Sequence, residues 1–344
     1  MRIGIVCALP EVVGCLRQGI ALRPQHQLLW VAGDGARGVE LCAQDRPDLL
    51  LMNLAEPGSR CLDAIGRIMT DSPCAILIIT RNAEADSSRV FAAMGRGAID
   101  VVDAPLLSAC GKGASEFLKK LDTLNTLVST PRFIPSADRF GDTTSIARFK
   151  PRLVAIGASA GGPGALIKLL AGIPKDFPAA IVIVQHVDER FAAGMADWLN
   201  RDSLLPVRIA AEGDQVLPSV VLLAATNDHL LLKTKDRLGY TREPGECVYR
   251  PSIDVFFDSV CALWSGEAVG VLLTGMGRDG AKGLKALRDK GHYTIAQDQA
   301  TSAVYGMPKA AMALGAAVDV LPIDRIATRL IGRASCRERV LRLV

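Results

Sequence analysis

The sequence lacks the features of a membrane protein, a secreted protein and a nucleic-acid-binding protein. No uninterrupted apolar run approaches the roughly 18 residues that a membrane-spanning helix needs. The start, Met1 to Cys7, goes straight into a strand pattern and has no signal-peptide layout. The net charge is only +4, and residues 331–344, with four arginines and one glutamate, supply +3 of it. Because an apolar span and a signal peptide are both missing, we expect a cytoplasmic protein that does not insert into membranes. Because no basic footprint remains, we expect no nucleic-acid partner.

Patterns typical of disulfide scaffolds and metal sites are also absent. The nine cysteines include no Cys-x-x-Cys pair and no Cys/His cluster at metal-ligand spacing, so we predict no metal and no cofactor. Cys7, Cys74 and Cys261 lie in apolar segments and are interpreted as reduced core residues. Aromatic residues make up only 5%, whereas hydrophobic residues make up 49%, mostly Ala, Val, Leu and Ile. This composition is typical of parallel strands covered by helices on both faces.

The first third of the chain alternates strand and helix patterns five times. This alternation over residues 1–121 predicts a flavodoxin-like α/β domain with a doubly wound parallel sheet. Its strands are expected at 2–6, 28–32, 48–54, 74–80 and 98–102. Residues 122–150 are assigned as a linker, because 129–151 are rich in Pro, Ser, Thr and charge without sustained periodicity.

A second alternating pattern over residues 151–330 predicts a doubly wound, mostly parallel α/β domain. Its strands are expected at 152–157, 179–185, 206–210, 219–224, 229–233, 268–274, 292–296 and 317–320. Its helices are expected to start near Gly162, Phe191, Ser252, Gly280 and Pro308. Segment 219–242 has Asn227-Asp228 between two apolar runs, which predicts a β-hairpin inserted in the otherwise parallel sheet.

The last residues, 331–344, form a tail that needs its own interpretation. Ile331 to Val340 resembles the translation of a common sequencing-library adaptor, and the alternative is an ordinary basic C-terminus. We favour the artefact and assign the tail no role. Resequencing the genomic locus would decide between the two.

A serine lies at a predicted strand-to-helix turn of the second domain. Gly157-Ala-Ser159-Ala-Gly161-Gly162 follows the strand Leu153 to Ile156 and opens a helix. Small residues at such a turn expose the hydroxyl and bring backbone N–H groups near it, which favours a nucleophile. The same glycine-rich loop could instead cradle a phosphate, and at this point both interpretations stay open.

A histidine and an aspartate follow two other predicted strands. His186 comes directly after Ala180 to Gln185, and Asp279 lies beyond Val269 to Leu273, just before a helix. Taken alone, His186 could be a structural histidine and Asp279 a helix N-cap. The other three histidines do not follow the carboxyl end of a predicted strand: His26, His229 and His292.

Ser159, His186 and Asp279 have complementary chemistry, and the carboxyl ends of parallel strands meet at one edge of a sheet. The serine would be the nucleophile, the histidine would take its proton, and the aspartate would hold the imidazole tautomer. The chain order Ser–His–Asp differs from that of the α/β-hydrolases, so that fold is disfavoured.

Six collinear stretches match the pattern of one known family. They are Ala155–Gly162, Gln185-His186, Gly213–Pro218, Arg250–Phe256, Leu273–Gly280 and Ala296–Pro308. These stretches resemble CheB, the response-regulator protein-glutamate methylesterase of bacterial chemotaxis, and the resemblance covers about residues 1–330. Within that family, 98–103 and 158–163 resemble the WspF branch, which serves Wsp-type receptor systems.

The resemblance implies a substrate and a set of roles. The substrate would be glutamate γ-methyl ester on chemoreceptor cytoplasmic helices, with methanol released through an acyl-enzyme on Ser159, and receptor glutamines could be deamidated by the same route. His186 would be the base, Asp279 its partner, and the backbone N–H groups of Met276 and Ala160 the oxyanion donors. Partners would be methylated chemoreceptors and a chemosensory histidine kinase. Two departures are mild: Ala160 stands where many members have threonine, and Ala225-Thr226 replaces an Ala-Pro.

The first domain resembles a CheB receiver in layout but not in chemistry. Cys7 and Ala8 occupy the places of the acidic pair that holds Mg²⁺, and Asn53 occupies the phospho-acceptor position. Ala104 replaces the lysine that contacts the phosphoryl group, while Thr80 remains. An amide cannot accept a phosphoryl group and is a poor Mg²⁺ ligand, so we predict a pseudo-receiver without phosphorylation.

Two further function classes stay open besides the methylesterase. A catalytically silent regulator would bind receptors of a signalling array without cleaving them, although decay of function should also have removed Ser159, His186 or Asp279. A nucleotide-binding or oxidoreductase domain is disfavoured, because the glycine loop lacks Gly-x-Gly-x-x-Gly spacing and no acidic residue suited to a ribose stands out.

Overall fold

The computed structural model describes residues 1–54, 60–80, 85–103, 117–118, 120–122, 124–125 and 152–335. Within these ranges the chain forms two parallel sheets covered by helices and one separate two-stranded antiparallel hairpin. The predicted fold class, a flavodoxin-like domain followed by a doubly wound α/β domain with a hairpin, is confirmed. The limits of the domains and of the linker stay predictions, since most of the linker lies outside the described residues.

The N-terminal sheet has the strand order β2-β1-β3-β4-β5, which is flavodoxin-like, and all its strand pairs are parallel. Its strands are β1 (Arg2–Val6), β2 (Gln27–Ala32), β3 (Leu49–Asn53), β4 (Ala75–Thr80) and β5 (Asp100–Asp103). Its helices are α1 (Pro10–Ala21), α2 (Gly35–Gln44), α3 (Arg60–Asp71) and α4 (Ser87–Gly95). Every residue of β3 is buried, because helices cover both faces of this central strand.

In the C-terminal sheet, seven strands of the described chain pair in the order β14-β13-β12-β6-β7-β9-β8, all parallel. The strands are β6 (Arg152–Ala158), β7 (Ala180–Gln185), β8 (Val207–Ile209), β9 (Val221–Leu223), β12 (Glu267–Leu272), β13 (Tyr293–Gln297) and β14 (Asp319–Leu321). The helices are α5 (Gly162–Ala171), α6 (Glu189–Asp202), α7 (Ile253–Leu263), α8 (Ala281–Asp289), α9 (Met307–Ala313) and α10 (Ile323–Ser335). Strands β12, β6 and β7 are neighbours at its centre.

The hairpin is shorter than the predicted segment 219–242. Strand β9, which begins that segment, pairs in parallel with β7 and β8 and so belongs to the main sheet. The hairpin consists of β10 (His229–Leu232) and β11 (Leu238–Thr241), which form a sheet of their own. It packs against α7 through the buried Leu230, Leu232 and Leu238.

One hydrophobic core continues from the first sheet into the second. Phe91 of α4 stacks on Trp198 of α6, with ring centroids 5.9 Å apart, and both side chains are buried. A Cβ on Gly164 of α5 would lie 2.7 Å from the carbonyl oxygen of Met94, so the N-terminal domain contacts this helix at its backbone. The face of the first domain formed by α4 therefore packs directly on α5 and α6.

The helix α10 extends into the tail that we assigned no role. Arg333 lies over the ring of Tyr293, 3.6 Å from its centroid, and Ala334 is buried. Residues 336–344 lie outside the described residues. None of the helices in the described part of the chain combines the length and the apolar character that crossing a membrane requires.

Candidate active site

Ser159 directly follows β6 and opens the turn into α5. Its backbone N–H donates to the carbonyl of Thr274 at 3.0 Å, and its own carbonyl accepts from the N–H of Gly162 at 2.7 Å. Gly161 has φ +73°, and a Cβ there would lie 2.5 Å from that of Ala303, so only glycine fits. The tight turn therefore presents the serine at the carboxyl edge of the sheet, as the pattern of small residues predicts.

The three predicted catalytic side chains meet at that edge. Nδ1 of His186 lies 3.1 Å from Oγ of Ser159, and Nε2 of His186 lies 2.8 Å from Oδ2 of Asp279. Because a carboxylate only accepts hydrogen bonds, Nε2 carries the proton and Nδ1 is free to accept from the serine hydroxyl. The side chains of His186 and Asp279 are only 10% and 9% exposed, so these bonds are largely shielded from water.

The carboxylate of Asp279 is held by the first turn of α7. It accepts the hydroxyl of Ser252 at 2.9 Å and the backbone N–H groups of Ile253 at 2.7 Å and Asp254 at 3.1 Å. Burial would raise the pKa of Asp279, but the hydrogen bond and charge of His186, together with these N–H groups, lower it below the ordinary value. The residue is therefore an anion at neutral pH.

The sequence also allows Asp279 to be an N-cap of the helix that follows it, but its carboxylate lies at the N-terminus of another helix. The helix that follows it, α8, begins after Gly280, which has φ +82° and makes no side-chain cap. Asp279 instead faces the N-terminus of a different helix, α7, where a negative charge is favourable. Its cap-like bonds and its contact with His186 are thus made by the same carboxylate.

Tyr249 is a residue of this site that sequence reasoning missed. Its ring stacks on the imidazole of His186, with centroids 4.4 Å apart and planes 4° from parallel. Burial raises the pKa of Tyr249, and the charge of Asp279 raises it further, so the phenol stays neutral. The sequence signal that could have identified it is its position directly before Arg250–Phe256, one of the six stretches that resemble CheB.

The two residues predicted as oxyanion donors lie close to the serine. Ala160 follows it, and Met276 follows Gly275, at which a Cβ would lie only 2.7 Å from the Cβ of Ser159. Both residues also pack against the hydrophobic cluster of the N-terminal domain. The N–H of the next residue, Gly161, donates to the carbonyl of Ile99 in that domain at 2.9 Å. The N-terminal domain therefore lies directly against the turn that presents Ser159.

The carboxyl ends of β1 and β3 in the N-terminal sheet carry an uncharged amide–thiol pair. The Asn53 amide at the end of β3 donates to Sγ of Cys7 at 3.1 Å, and both residues are buried. Thr80 donates to Asp86 at 2.5 Å, and Ala8 lies exposed beyond β1. Ala104 lies outside the described residues. Cys7, Cys74 and Cys261 form no disulfide. Cys7 is buried, whereas Cys74 and Cys261 are half-buried.

The comparisons with known proteins show the family of the chain. The family model described as CheB methylesterase matches residues 154–330. The chain belongs to the CheB methylesterase family. Protein-glutamate methylesterase/protein-glutamine glutaminase 4 of Burkholderia thailandensis is 57% identical and covers 96% of this chain and 97% of its own. A second relative with that name, from Pseudomonas syringae, is 52% identical and covers 96% of this chain and 98% of its own.

A solved structure supports the same assignment for the C-terminal domain. The CheB methylesterase catalytic domain of Thermotoga maritima is 35% identical, with a TM-score of 0.52, and covers 54% of this chain and all of its own. The predictions of the CheB family, the fold class and a methylesterase-class hydrolase are therefore confirmed. The individual roles of the site residues stay predictions.

Proposed function

We propose that this CheB member hydrolyses glutamate γ-methyl esters on chemoreceptor cytoplasmic helices and releases methanol, acting in the cytoplasm. The observation that supports this most directly is the continuous row of hydrogen bonds from Ser159 through His186 to Asp279. The relatives described above are protein-glutamate methylesterases and protein-glutamine glutaminases. Receptor glutamine would be a second substrate, with ammonia released in place of methanol.

The proposed reaction forms and then hydrolyses an acyl-enzyme. Oγ of Ser159 attacks the ester carbonyl carbon while its proton passes to Nδ1 of His186. The C–O bond to the methoxy group then breaks, and the same proton goes to the leaving oxygen to give methanol. A water molecule attacks the acyl-enzyme, passing its proton through His186 to Ser159, and leaves glutamate. Asp279 remains ionised and stabilises the imidazolium in both steps.

The backbone N–H groups of Met276 and Ala160 are the proposed donors to the oxyanion of each tetrahedral intermediate. Their place in the fold supports this role: Ala160 directly follows Ser159, and Met276 follows Gly275, at which a Cβ would lie 2.7 Å from the Cβ of Ser159. Loss of one such donor typically costs about 10²–10³ in rate. Because both residues pack against the N-terminal domain, docking of that domain restricts the space where an oxyanion would form.

We further propose that the enzyme is regulated without phosphorylation of its receiver. The amide–thiol pair of Asn53 and Cys7 offers neither a phosphoryl acceptor nor an anionic Mg²⁺ ligand. The docked receiver, whose Ile99 carbonyl occupies the N–H of Gly161, suits an inhibited state that a partner protein relieves. A chemosensory histidine kinase or the methylated receptor itself would be that partner.

The alternative is a catalytically silent regulator that binds receptors. One observation favours it: Ser159 is only 8% exposed beneath the docked receiver. On this alternative the triad would be retained for its packing, and receptor binding would survive its loss.

Methanol release from methylated receptor membranes distinguishes these functions. We would compare the full chain, residues 148–330 and Ser159→Ala in each, with Ser203→Ala as a matched control at the end of α6. Release from the fragment but not from the full chain would support an inhibitory receiver. Equal release from both would mean that inhibition has been lost. No serine-dependent release from either, with receptor binding intact, would support the silent regulator.

A further inference from the structure

His229 links the hairpin to the catalytic residues, although sequence reasoning placed it outside the site. The residue begins β10 and is 0% exposed. Its Nε2 lies 3.2 Å from the carbonyl oxygen of Pro244, and its Nδ1 accepts the backbone N–H of Ser252 at 2.9 Å. A carbonyl only accepts and an amide N–H only donates, so this imidazole is the neutral tautomer with its proton on Nε2.

Ser252 carries the link onward to the triad. Its hydroxyl donates to Oδ1 of Asp279 at 2.9 Å, and its oxygen also accepts the N–H of Val255 at 3.4 Å as the N-cap of α7. Ser252 is 3% exposed, so water does not replace these partners. His229 thus fixes the backbone of Ser252, and the hydroxyl of Ser252 fixes one oxygen of the carboxylate.

The other carboxylate oxygen is the one that His186 uses. Oδ2 of Asp279 lies 2.8 Å from Nε2 of His186 and also accepts the N–H of Ile253. Oδ1 also accepts the N–H of Asp254, at the longer distance of 3.1 Å. Without the hydroxyl of Ser252, Oδ1 would be held less firmly, so the carboxylate could rotate further about its Cβ–Cγ bond and the imidazole would be less well aligned with Ser159. Errors of about 1 Å in such alignment can cost about 10²-fold in rate.

We propose that His229 is a positioning residue for the triad, acting through Ser252 to hold Asp279 in the orientation that His186 needs. Asp279 is then held both by the helix that it faces and by a hairpin outside the main sheet. The proposal rests on the proposed hydrolase function, but it concerns the geometry of the triad rather than the identity of the substrate.

Two substitutions separate the two bonds of His229. In His229→Asn the side-chain oxygen takes the place of Nδ1 and can accept from Ser252, whereas in His229→Gln the terminal amide takes the place of Nε2 and reaches only Pro244. We expect the rate at which a fluorophosphonate labels Ser159 in the full chain to fall about 10–100-fold in His229→Gln. We expect it to fall less than about 3-fold in His229→Asn, because the link to Ser252 is kept.

Further variants serve as rescue and control. Ser252→Ala should slow labelling about as much as His229→Gln, the double variant should add little to either, and Ser252→Thr should restore most of the rate. His292→Gln is the matched control, because Nδ1 of His292 also accepts a backbone N–H, from Ala268 at 3.4 Å, but at the amino ends of the strands. It should leave labelling unchanged.

Nitrogen-15 NMR of the imidazoles supplies a readout that needs no access to Ser159. With only four histidines in the chain, each signal can be assigned by substitution. We expect the Nε2–H tautomer for His229, and an Nε2–H signal of His186 that exchanges slowly with water in the parent and His229→Asn but quickly in His229→Gln. An Nδ1–H tautomer for His229, or an unchanged His186 signal in His229→Gln, would overturn the proposal.

Equal slowing in the Asn and Gln variants together with lowered melting temperatures would also overturn it, in favour of a purely structural role. These readouts remain distinct from a failure of the proposed function. If the parent labels with fluorophosphonate but releases no methanol from receptors, the assigned substrate is wrong, while the expected order of the His229 variants still tests the positioning role.

Discussion

The two parallel sheets of this chain carry different chemistry at equivalent places. At the carboxyl end of the C-terminal sheet, an anionic carboxylate orients an imidazole toward a serine. At the same end of the N-terminal sheet, the Asn53 amide donates to the Cys7 thiol. A doubly wound sheet supplies the crevice, but the side chains at the strand ends decide whether a reaction can occur there. The N-terminal domain instead contacts the turn that presents Ser159, through the carbonyl of Ile99.

The largest expected effect comes from neutralising the carboxylate of the candidate active site, Asp279. Asp279→Asn should lower kcat for methanol release about 10⁴-fold, because an amide donating to Nε2 would force the imidazole proton onto Nδ1, where it blocks transfer from Ser159. Asp289→Asn, an exposed position at the end of α8, is the control. A loss smaller than about 10-fold would mean that this carboxylate does not set the tautomer.

A smaller effect is expected from removing the ring that stacks on the imidazole of His186. Tyr249→Ala should lower kcat up to about 10-fold, since a stacked aromatic pair contributes about 0.5–1.5 kcal/mol and here it also restrains the ring of His186. Tyr249→Phe keeps the stacking and should retain nearly the parental rate. If both variants are equally slow, the phenol hydroxyl rather than the ring plane is what matters.

The next effect concerns stability rather than rate. Burial, with the nearby charges of Asp279 and Asp258, raises the pKa of Asp254 from 3.8 to about 6. The native state therefore binds the carboxyl proton of Asp254 more tightly than the unfolded state does. This contribution to the free energy of unfolding is complete below about pH 4 and is lost as the pH rises through about 6, where burial of the ionised carboxylate costs stability. Asp254→Asn removes that cost, and its side-chain oxygen can still accept from Gly283.

After allowance for solvent screening, we expect Asp254→Asn to stabilise the chain by about 1 kcal/mol at pH 7.5, which corresponds to about 2–4 °C in melting temperature. The difference from the parent should shrink as the pH approaches 4. Thermal melts of both proteins across that pH range measure it. A difference that is the same at both ends of the range would show that it does not arise from this titration.

For the receiver we expect that a phosphoryl donor has no effect on methanol release. Acetyl phosphate with Mg²⁺ should leave methanol release unchanged in the parent. It should also do so in Asn53→Asp, because Cys7 and Ala8 still supply no acidic ligands for the metal. Phosphate incorporation and activity would be measured together. Stimulation of the parent would contradict the pseudo-receiver interpretation, and stimulation of Asn53→Asp alone would show that one residue separates the two kinds of domain.

The strand-end residues were predictable because local pattern and sheet topology both act on them. Apolar runs predicted the strands, and the small residues around Ser159 predicted the turn that presents it. The hairpin was predicted at the right place but too long, because Val221–Leu223 has the same apolar character as a hairpin strand and only its pairing with β7 assigns it to the main sheet. Tyr249 and Ser252 had no local signal beyond their motif, since their roles come from contacts with His186 and Asp279, far away in the chain.

By itself the sequence determined which side chains stand at the strand ends, because strand period, turn residues and residue chemistry are local properties. It also determined that an amide, Asn53, stands at the end of β3. Only the tertiary structure decided that Nδ1 rather than Nε2 of His186 faces Ser159, that Asp279 faces α7, and that Ile99 reaches the N–H of Gly161. These features join residues that are distant in sequence. Their geometry depends on how the helices and sheets pack, which no local pattern specifies.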